Sequence, residues 1–307
     1  MQNSVDYQHY TAKPPGAARD LPPLKRAARF LKHRVFYDFL MLPYALHRHR
    51  RLLRVSERTS EHTYTCFLRA PSQLQLLAGP ILKHLLAGGL QTRLDITLLA
   101  CSNGAEAYTI ASWLRVRYPD LDFHIHASDL HQAMADRASA GEYSKDEALH
   151  SEYMTKAFLE ETFDIKGAAY AVKPEVRKHV SFSAANILDG ADLLARFGQA
   201  PLVIAQNVLF HLKPEDAARA FANLMALTAP QGVIMVEGMD QDLRVRLTRQ
   251  YRLTPFTQNL RAIYRETRVH TPPNWWQVYW GSEPYLPFRS HAAHRYATAF
   301  MKGGGNT

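Results

Sequence analysis

At 307 residues, with 47% hydrophobic and 21% charged content, the chain has room for one large folded domain and a small accessory one. No stretch approaches the roughly 18 uninterrupted apolar residues of a membrane span. The opening MQNSVDYQHYTAKPPG lacks the charged-then-apolar layout of a secretory signal. The two cysteines, Cys66 and Cys101, stand far apart and without metal-ligand spacing, which predicts a reducing cytoplasm and no metal site.

Residues 1–23, with Pro14-Pro15-Gly16 and Pro22-Pro23, read as a disordered or extended leader. The net charge of +9 is concentrated just beyond it: residues 24–58 carry ten Lys/Arg against Asp38 and Glu57. Such asymmetry suits an acidic protein, a nucleic acid or an anionic surface, and equally a solvated helix face. Apolar residues at helical spacing (Phe30, Val35, Phe36, Phe39, Leu40) predict two helices in 24–55, broken near Pro43. Pro71 opens a further helix over 71–87, which Gly88-Gly89 ends. Together 24–90 form a basic helical N-terminal region.

From residue 91 to 267 strands and helices alternate. Apolar runs at 95–101, 123–128, 180–184, 202–206 and 233–237 predict strands, and 215–228 a helix. This βαβ rhythm implies a largely parallel sheet with helices on both faces, an α/β fold. Segments 250–256 and 260–266 are expected to close the sheet as an antiparallel hairpin. The tail, 268–307, contains Trp275, Trp276, Tyr279 and Trp280, which fit either a lid or the packing of an extra segment.

In an open α/β sheet, ligands bind at the carboxyl ends of the strands. The turn Ala100-Cys101-Ser102-Asn103-Gly104-Ala105-Glu106 lets a ligand approach backbone, but no phosphate-cradling G-x-G-x-x-G or P-loop is present. Asp129, 25 positions beyond Gly104, suits the two hydroxyls of an adenosine ribose, or simply caps the next helix. Asn186-Ile187-Leu188 offers an amide and an apolar wall for an adenine, and Asn207-Val208-Leu209-Phe210-His211 places another amide at the mouth. Four strand ends in register predict a nucleoside site.

The runs L-A-C-S-N-G-A-E-A-Y-T, A-S-D-L, V-S-F-S-A-A-N-I-L and Q-N-V-L-F-H-L resemble the CheR family of chemotaxis protein-glutamate O-methyltransferases. Upstream, Thr65-Cys66-Phe67-Leu68-Arg69 is similar to that family's T-x-F-F-R, and the likeness extends over about residues 60–267. It implies a class I methyltransferase sheet of seven strands with an antiparallel last strand. The implied cofactor is S-adenosyl-L-methionine, leaving S-adenosyl-L-homocysteine, with no metal. Thr63, Thr65 and Arg69 then fall in the cofactor-contacting segment, Arg69 facing the methionine carboxylate. Ala100, Gly104 and Glu106 form the turn, Glu106 near the amino group. Asp129 and Leu130 take the ribose side, Asn186 and Ile187 the adenine, and Asn207 and Val208 the sulfonium. Arg69, Asn207 and His211 are the implied catalytic set, and the basic helices the surface that meets acidic receptor helices, without specific nucleic-acid binding or membrane insertion.

Departures from the pattern cluster on the acceptor side. Ala105 and Ala107 replace Glu and Pro, Gln206 replaces the Arg of R-N-V, and His211 the Tyr of I-Y-F. Residues 163–177 are too compact for a large receptor-tethering β-subdomain. Two other readings therefore stay open: a methyltransferase for a small metabolite or natural product, and a catalytically silent cofactor-binding module.

Overall fold

The computed structural model describes residues 22, 24–25, 28, 40–56, 64–87, 93–268, 271–272 and 274–303; the leader up to residue 21, Thr63 and Gly88-Gly89 lie outside them. Strand β1 (Leu94–Leu99) is buried at every position except Asp95, the pattern of a central parallel strand covered on both faces. Helix α4 (Ala105–Arg117) leads to β2 (Phe123–Asp129), which pairs with β1 on one side, while β7 (Ala200–Gln206) pairs with it on the other. The chain runs outward from β1 through β2 to β6 and then crosses back to lay β7 on the other side of β1, so the crevice between β1 and β7 is the topological switch point.

Beyond β2 lies β6 (Val180–Ala184), and beyond β7 lies β8 (Thr228–Glu237); with β9 (Thr254–Pro255) and β10 (Ala299–Met301) the order is β6-β2-β1-β7-β8-β10-β9. Side chains alternate between two cores, with Leu202 and Ile204 packing on one face of the sheet and Val203 and Ala205 on the other. One core takes α4 and the helical stretch α2 (Pro71–Leu76), a π turn (Leu77–Ile81) and α3 (Leu82–Ala87). The other takes Phe221 and Leu224 of α10 (Pro214–Leu227), together with Leu243 and Leu247 of α11 (Gln241–Gln250).

The sheet's ending differs from the expected hairpin. Only Thr254–Pro255 forms a strand, β9, a length suited to an edge that a proline can occupy. Residues Leu260–Thr267 are a helix, α12, because Ile263 and Tyr264 recur at helical spacing after Leu260 and are both buried. The antiparallel strand is β10 (Ala299–Met301), which returns from the tail and inserts between β8 and β9. Its Ala299 and Phe300 are fully buried, so the segment set apart as an aromatic extension supplies a strand of the main sheet.

In the chain between β2 and β6, a second, antiparallel sheet forms from β3 (Glu142–Ser144), β4 (Phe163–Lys166) and β5 (Ala169–Val172) in the order β3-β5-β4. Short helices α5 (Gln132–Ala140), α6 (Lys145–Ala148), α7 (Lys156–Thr162) and α8 (Pro174–Arg177) connect it to the main sheet. Its inner face packs on Phe67, whose ring lies 4.8 Å from Tyr143 and 5.0 Å from Phe163 in edge-on geometry.

Pro43 stands in the first turn of α1 (Leu42–Val55), where its missing N–H costs no helical bond. The helix buries Leu42 and Ala45 against Trp275, Trp276 and Leu286, so these tryptophans are packing residues. Arg50 of α1 pairs with Asp242 at 2.8 Å, and Asp242 pairs with Arg295 at 2.8 Å. Arg295, on α13 (Ala292–Tyr296), also reaches the buried Glu283 at 3.4 Å. The tail therefore joins α1 to the sheet through an apolar cluster and a chain of ion pairs.

Candidate active site

The turn after β1 is held by exchanges with its neighbours. Cys101 N–H donates to Ser128 O at 2.9 Å, and Tyr143 Oη donates to Asn103 O at 2.6 Å. Gly104 has φ +85°, and a Cβ there would stand 2.9 Å from the Ala138 Cβ and 3.0 Å from the Phe182 ring. Only glycine suits both the backbone and the space. Gly104 therefore shapes the turn from beneath, and Ala100, at φ +60°, faces the cleft above it.

Asp129 closes β2 with 7% of its surface exposed. One carboxylate oxygen accepts from Ser102 N–H at 2.8 Å and the other from His131 N–H at 3.0 Å. A carboxylate has about four acceptor positions, so two remain for a pair of hydroxyls. Beside it Leu130 is exposed, and Asn186 and Ile187 follow β6, with the Asn186 amide oxygen accepting from Leu188 N–H at 3.0 Å.

Asn207 follows β7 in the left-handed region at φ +56°, a conformation asparagine tolerates better than most side chains. Its N–H donates to Glu237 O at 2.9 Å. The opposing Gly238, at φ +71°, admits this close approach, since a Cβ there would lie 2.6 Å from Asn207 Cα. Val208 and the short helical turn Leu209–His211 complete the mouth. His211 Nδ1 and Tyr279 Oη are 3.1 Å apart, a hydrogen bond that brings the tail to the site.

The last wall comes from the segment before α2. Leu68 adopts φ +48°; its N–H donates to Thr109 Oγ1 at 3.3 Å and its carbonyl accepts from Ser151 Oγ at 3.1 Å. This anchored bend turns Arg69 and Thr65 inward, with the Arg69 guanidinium 5.5 Å from the Tyr64 ring centre. Burial pushes the Glu106 carboxyl up to about 7; Arg69 pulls it back and Glu237 pushes it further. Glu237 is itself raised by burial, against the pull of Arg69 and Arg244.

The structure thus gathers Thr65, Arg69, Ala100 and Glu106 with Asp129, Leu130, Asn186 and Ile187, and closes the ring with Asn207, Val208 and His211. The cleft has a volume of about 300 Å³. Thr63 lies outside the described residues. The donor set fits S-adenosylmethionine: an acid for two hydroxyls, an apolar wall for a purine, and an Arg–Glu pair for a zwitterionic amino acid. A smaller cavity of about 40 Å³ continues past Arg69 and Glu106 toward Gln73, a residue that sequence reasoning did not single out. His131 was likewise missed, and Ser102 and Tyr279, named only as parts of the turn and of the tail, had no assigned role; the contacts of Ser102 with Asp129 and of Tyr279 with His211 are made across the fold.

A model of the CheR methyltransferase SAM-binding domain matches residues 63–259, more than half of the chain. The chain belongs to the CheR methyltransferase family. Its relatives include a chemotaxis protein methyltransferase of Listeria innocua, 27% identical over 58% of this chain and 65% of that protein. Another, chemotaxis protein methyltransferase 1 of Pseudomonas aeruginosa, is 28% identical over 56% of this chain and 64% of that protein. A probable biofilm formation methyltransferase, WspC of Pseudomonas putida, is 30% identical over 60% of this chain and 42% of that protein. The chain spans less than two thirds of the length of these relatives. Among solved structures, an O-methyltransferase family protein from Burkholderia thailandensis aligns over 90% of this chain and 73% of its own, at 14% identity and a TM-score of 0.36. The CheR assignment therefore stands on the family match, and the class I architecture on the strand order.

Proposed function

We propose that this CheR-family protein O-methylates carboxylates of an acidic protein, a chemoreceptor being the candidate, in the cytoplasm. The observation that carries the reading is the single cleft at the β1/β7 switch point, which presents Asp129, the Arg69–Glu106 pair and Asn207 together. Bound there, S-adenosylmethionine supplies an electrophilic methyl group on a sulfonium. Arg69 and Glu106 hold the two charges of its amino-acid half, the guanidinium gripping the carboxylate. Asp129 accepts from the ribose hydroxyls, Leu130, Asn186 and Ile187 hold the adenine, and Asn207 and Val208 stand nearest the sulfonium.

An acceptor carboxylate is already an anion and needs no base. The contribution of Asn207, Val208 and His211 is to align it in line with the reacting bond and to keep water out. Docking of the acidic partner falls to α1, whose Arg48, Arg51 and Arg54 are exposed and form no ion pair with described residues. Such attraction raises encounter rates and is screened by salt.

The His211–Tyr279 hydrogen bond favours a second reading. A histidine held by a phenol suits general-base chemistry, which a hydroxyl or amine acceptor on a small molecule requires and a carboxylate does not. Incubation with methyl-labelled S-adenosylmethionine and an acidic protein extract separates the two. Label on protein that alkali releases as volatile methanol supports carboxyl methylation; alkali-stable label on a small molecule overturns it. Neutralising Arg48, Arg51 and Arg54 should then reduce protein labelling several-fold, and unchanged labelling would reject the docking surface.

A further inference from the structure

Gln73 lies in the first turn of α2, four residues after Arg69, with 4% of its surface exposed. Its side-chain Nε2 has no hydrogen-bond partner. Buried amide donors without an acceptor are few in native proteins and costly, so one at the end of a cavity calls for a ligand. The cavity it lines holds about 40 Å³ and is walled by apolar residues such as Leu74, Leu77, Ile110 and Met235. Arg69, Glu106, Thr65 and Gln206 line both this recess and the main cleft, so the recess adjoins the cleft at the Arg69–Glu106 end. A recess of this size admits one terminal group, and the chemistry of its entrance selects which. The Arg69 guanidinium attracts an anion, and the unpaired Gln73 N–H lacks an acceptor.

We infer that Gln73 binds the α-carboxylate of the cofactor's amino-acid half, as a second donor beside Arg69, while Glu106 takes the ammonium. This rests on the cleft being the S-adenosylmethionine site and adds a residue that makes the site select the amino-acid tail from the bare nucleoside. No protein group accepts from the Gln73 amide, so the ligand carboxylate supplies the acceptor. Stability is thus sacrificed locally to a preorganised donor, as is common at binding sites.

Leucine is close in volume to glutamine and has no donor, so Gln73→Leu isolates the hydrogen bond. Calorimetric titration of wild type and variant with S-adenosylhomocysteine and with 5′-methylthioadenosine, which lacks the amino acid, gives the test. Loss of a hydrogen bond to a charged group predicts roughly ten- to hundred-fold weaker S-adenosylhomocysteine binding. Binding of 5′-methylthioadenosine should change less than about twofold, and the free variant should unfold at the same or a higher temperature. Unchanged S-adenosylhomocysteine affinity, or equal losses for both ligands, overturns the assignment. Asp129→Ala serves as the control, because it should weaken both ligands. If wild type binds neither, the reading of the cleft itself has failed, and the role of Gln73 fails with it.

Discussion

Replacing Glu106 by glutamine should stabilise the free protein at alkaline pH while impairing the cofactor site. Burial pushes this carboxyl up to about 7, against the partial relief given by Arg69. In the unfolded chain it ionises near the ordinary value of about 4.3. Between those values the native state binds the extra proton, so stability falls as pH rises, and the full cost is present above about pH 7. At about 1.4 kcal/mol for each tenfold change in proton affinity, that cost is about 3 kcal/mol. Contact with water in the cleft trims it to about 2 kcal/mol. Glutamine keeps the shape and removes the charge. For a protein of this size the gain corresponds to a midpoint about 4 °C higher at pH 8. Near pH 4, where both states hold the proton, the two proteins should melt together. Thermal unfolding followed by circular dichroism at pH 8, 6 and 4 reads the effect. A shift that is the same at every pH, or a variant less stable at pH 8, would refute the account of Glu106 as a carboxylate kept in place against its desolvation cost.

Asp129→Ala should weaken S-adenosylhomocysteine binding about a hundred-fold by calorimetry, since it removes the acceptor of two hydroxyls. Trp275→Ala opens a hole where α1 meets the tail and should cost about 3–5 kcal/mol in urea unfolding. Tyr279→Phe keeps the ring and deletes only the hydroxyl bonded to His211. It should change turnover and its pH profile several-fold while leaving S-adenosylhomocysteine affinity within about twofold, because the hydrogen bond concerns the acceptor side.

The parallel strands were legible because a strand covered on both faces is short and mostly apolar. Leu94–Leu99, interrupted only by Asp95 and Thr97, and Ala200–Gln206, polar only at its last residue, are such runs and end on turn residues. The same logic made the strand-end residues readable: Asp129, Asn186 and Asn207 can be placed by counting from the strands. Strand β10 was hidden because Ala299–Met301 is only three residues long and follows the short helix α13 after two residues, so no periodicity develops. Segment 260–266 was read as a strand because a run of seven residues hardly separates a period of two from one of 3.6. The structure decides for the helix, because Ile263 and Tyr264 must both reach the core. The role of the tryptophans stayed open in the sequence because their partner, α1, lies far from them along the chain. Gln73 was invisible for a related reason: its significance lies in the lack of a partner, which only the packed structure defines.

Equilibrium dialysis with labelled S-adenosylmethionine tests the central claim most directly. One molecule should bind per chain, displaced by S-adenosylhomocysteine and not by NAD or ATP, and Asp129→Ala should abolish most of the bound label. Absence of binding, or displacement by NAD or ATP at similar concentrations, would contradict the assignment of the β1/β7 cleft as a methyl-donor site.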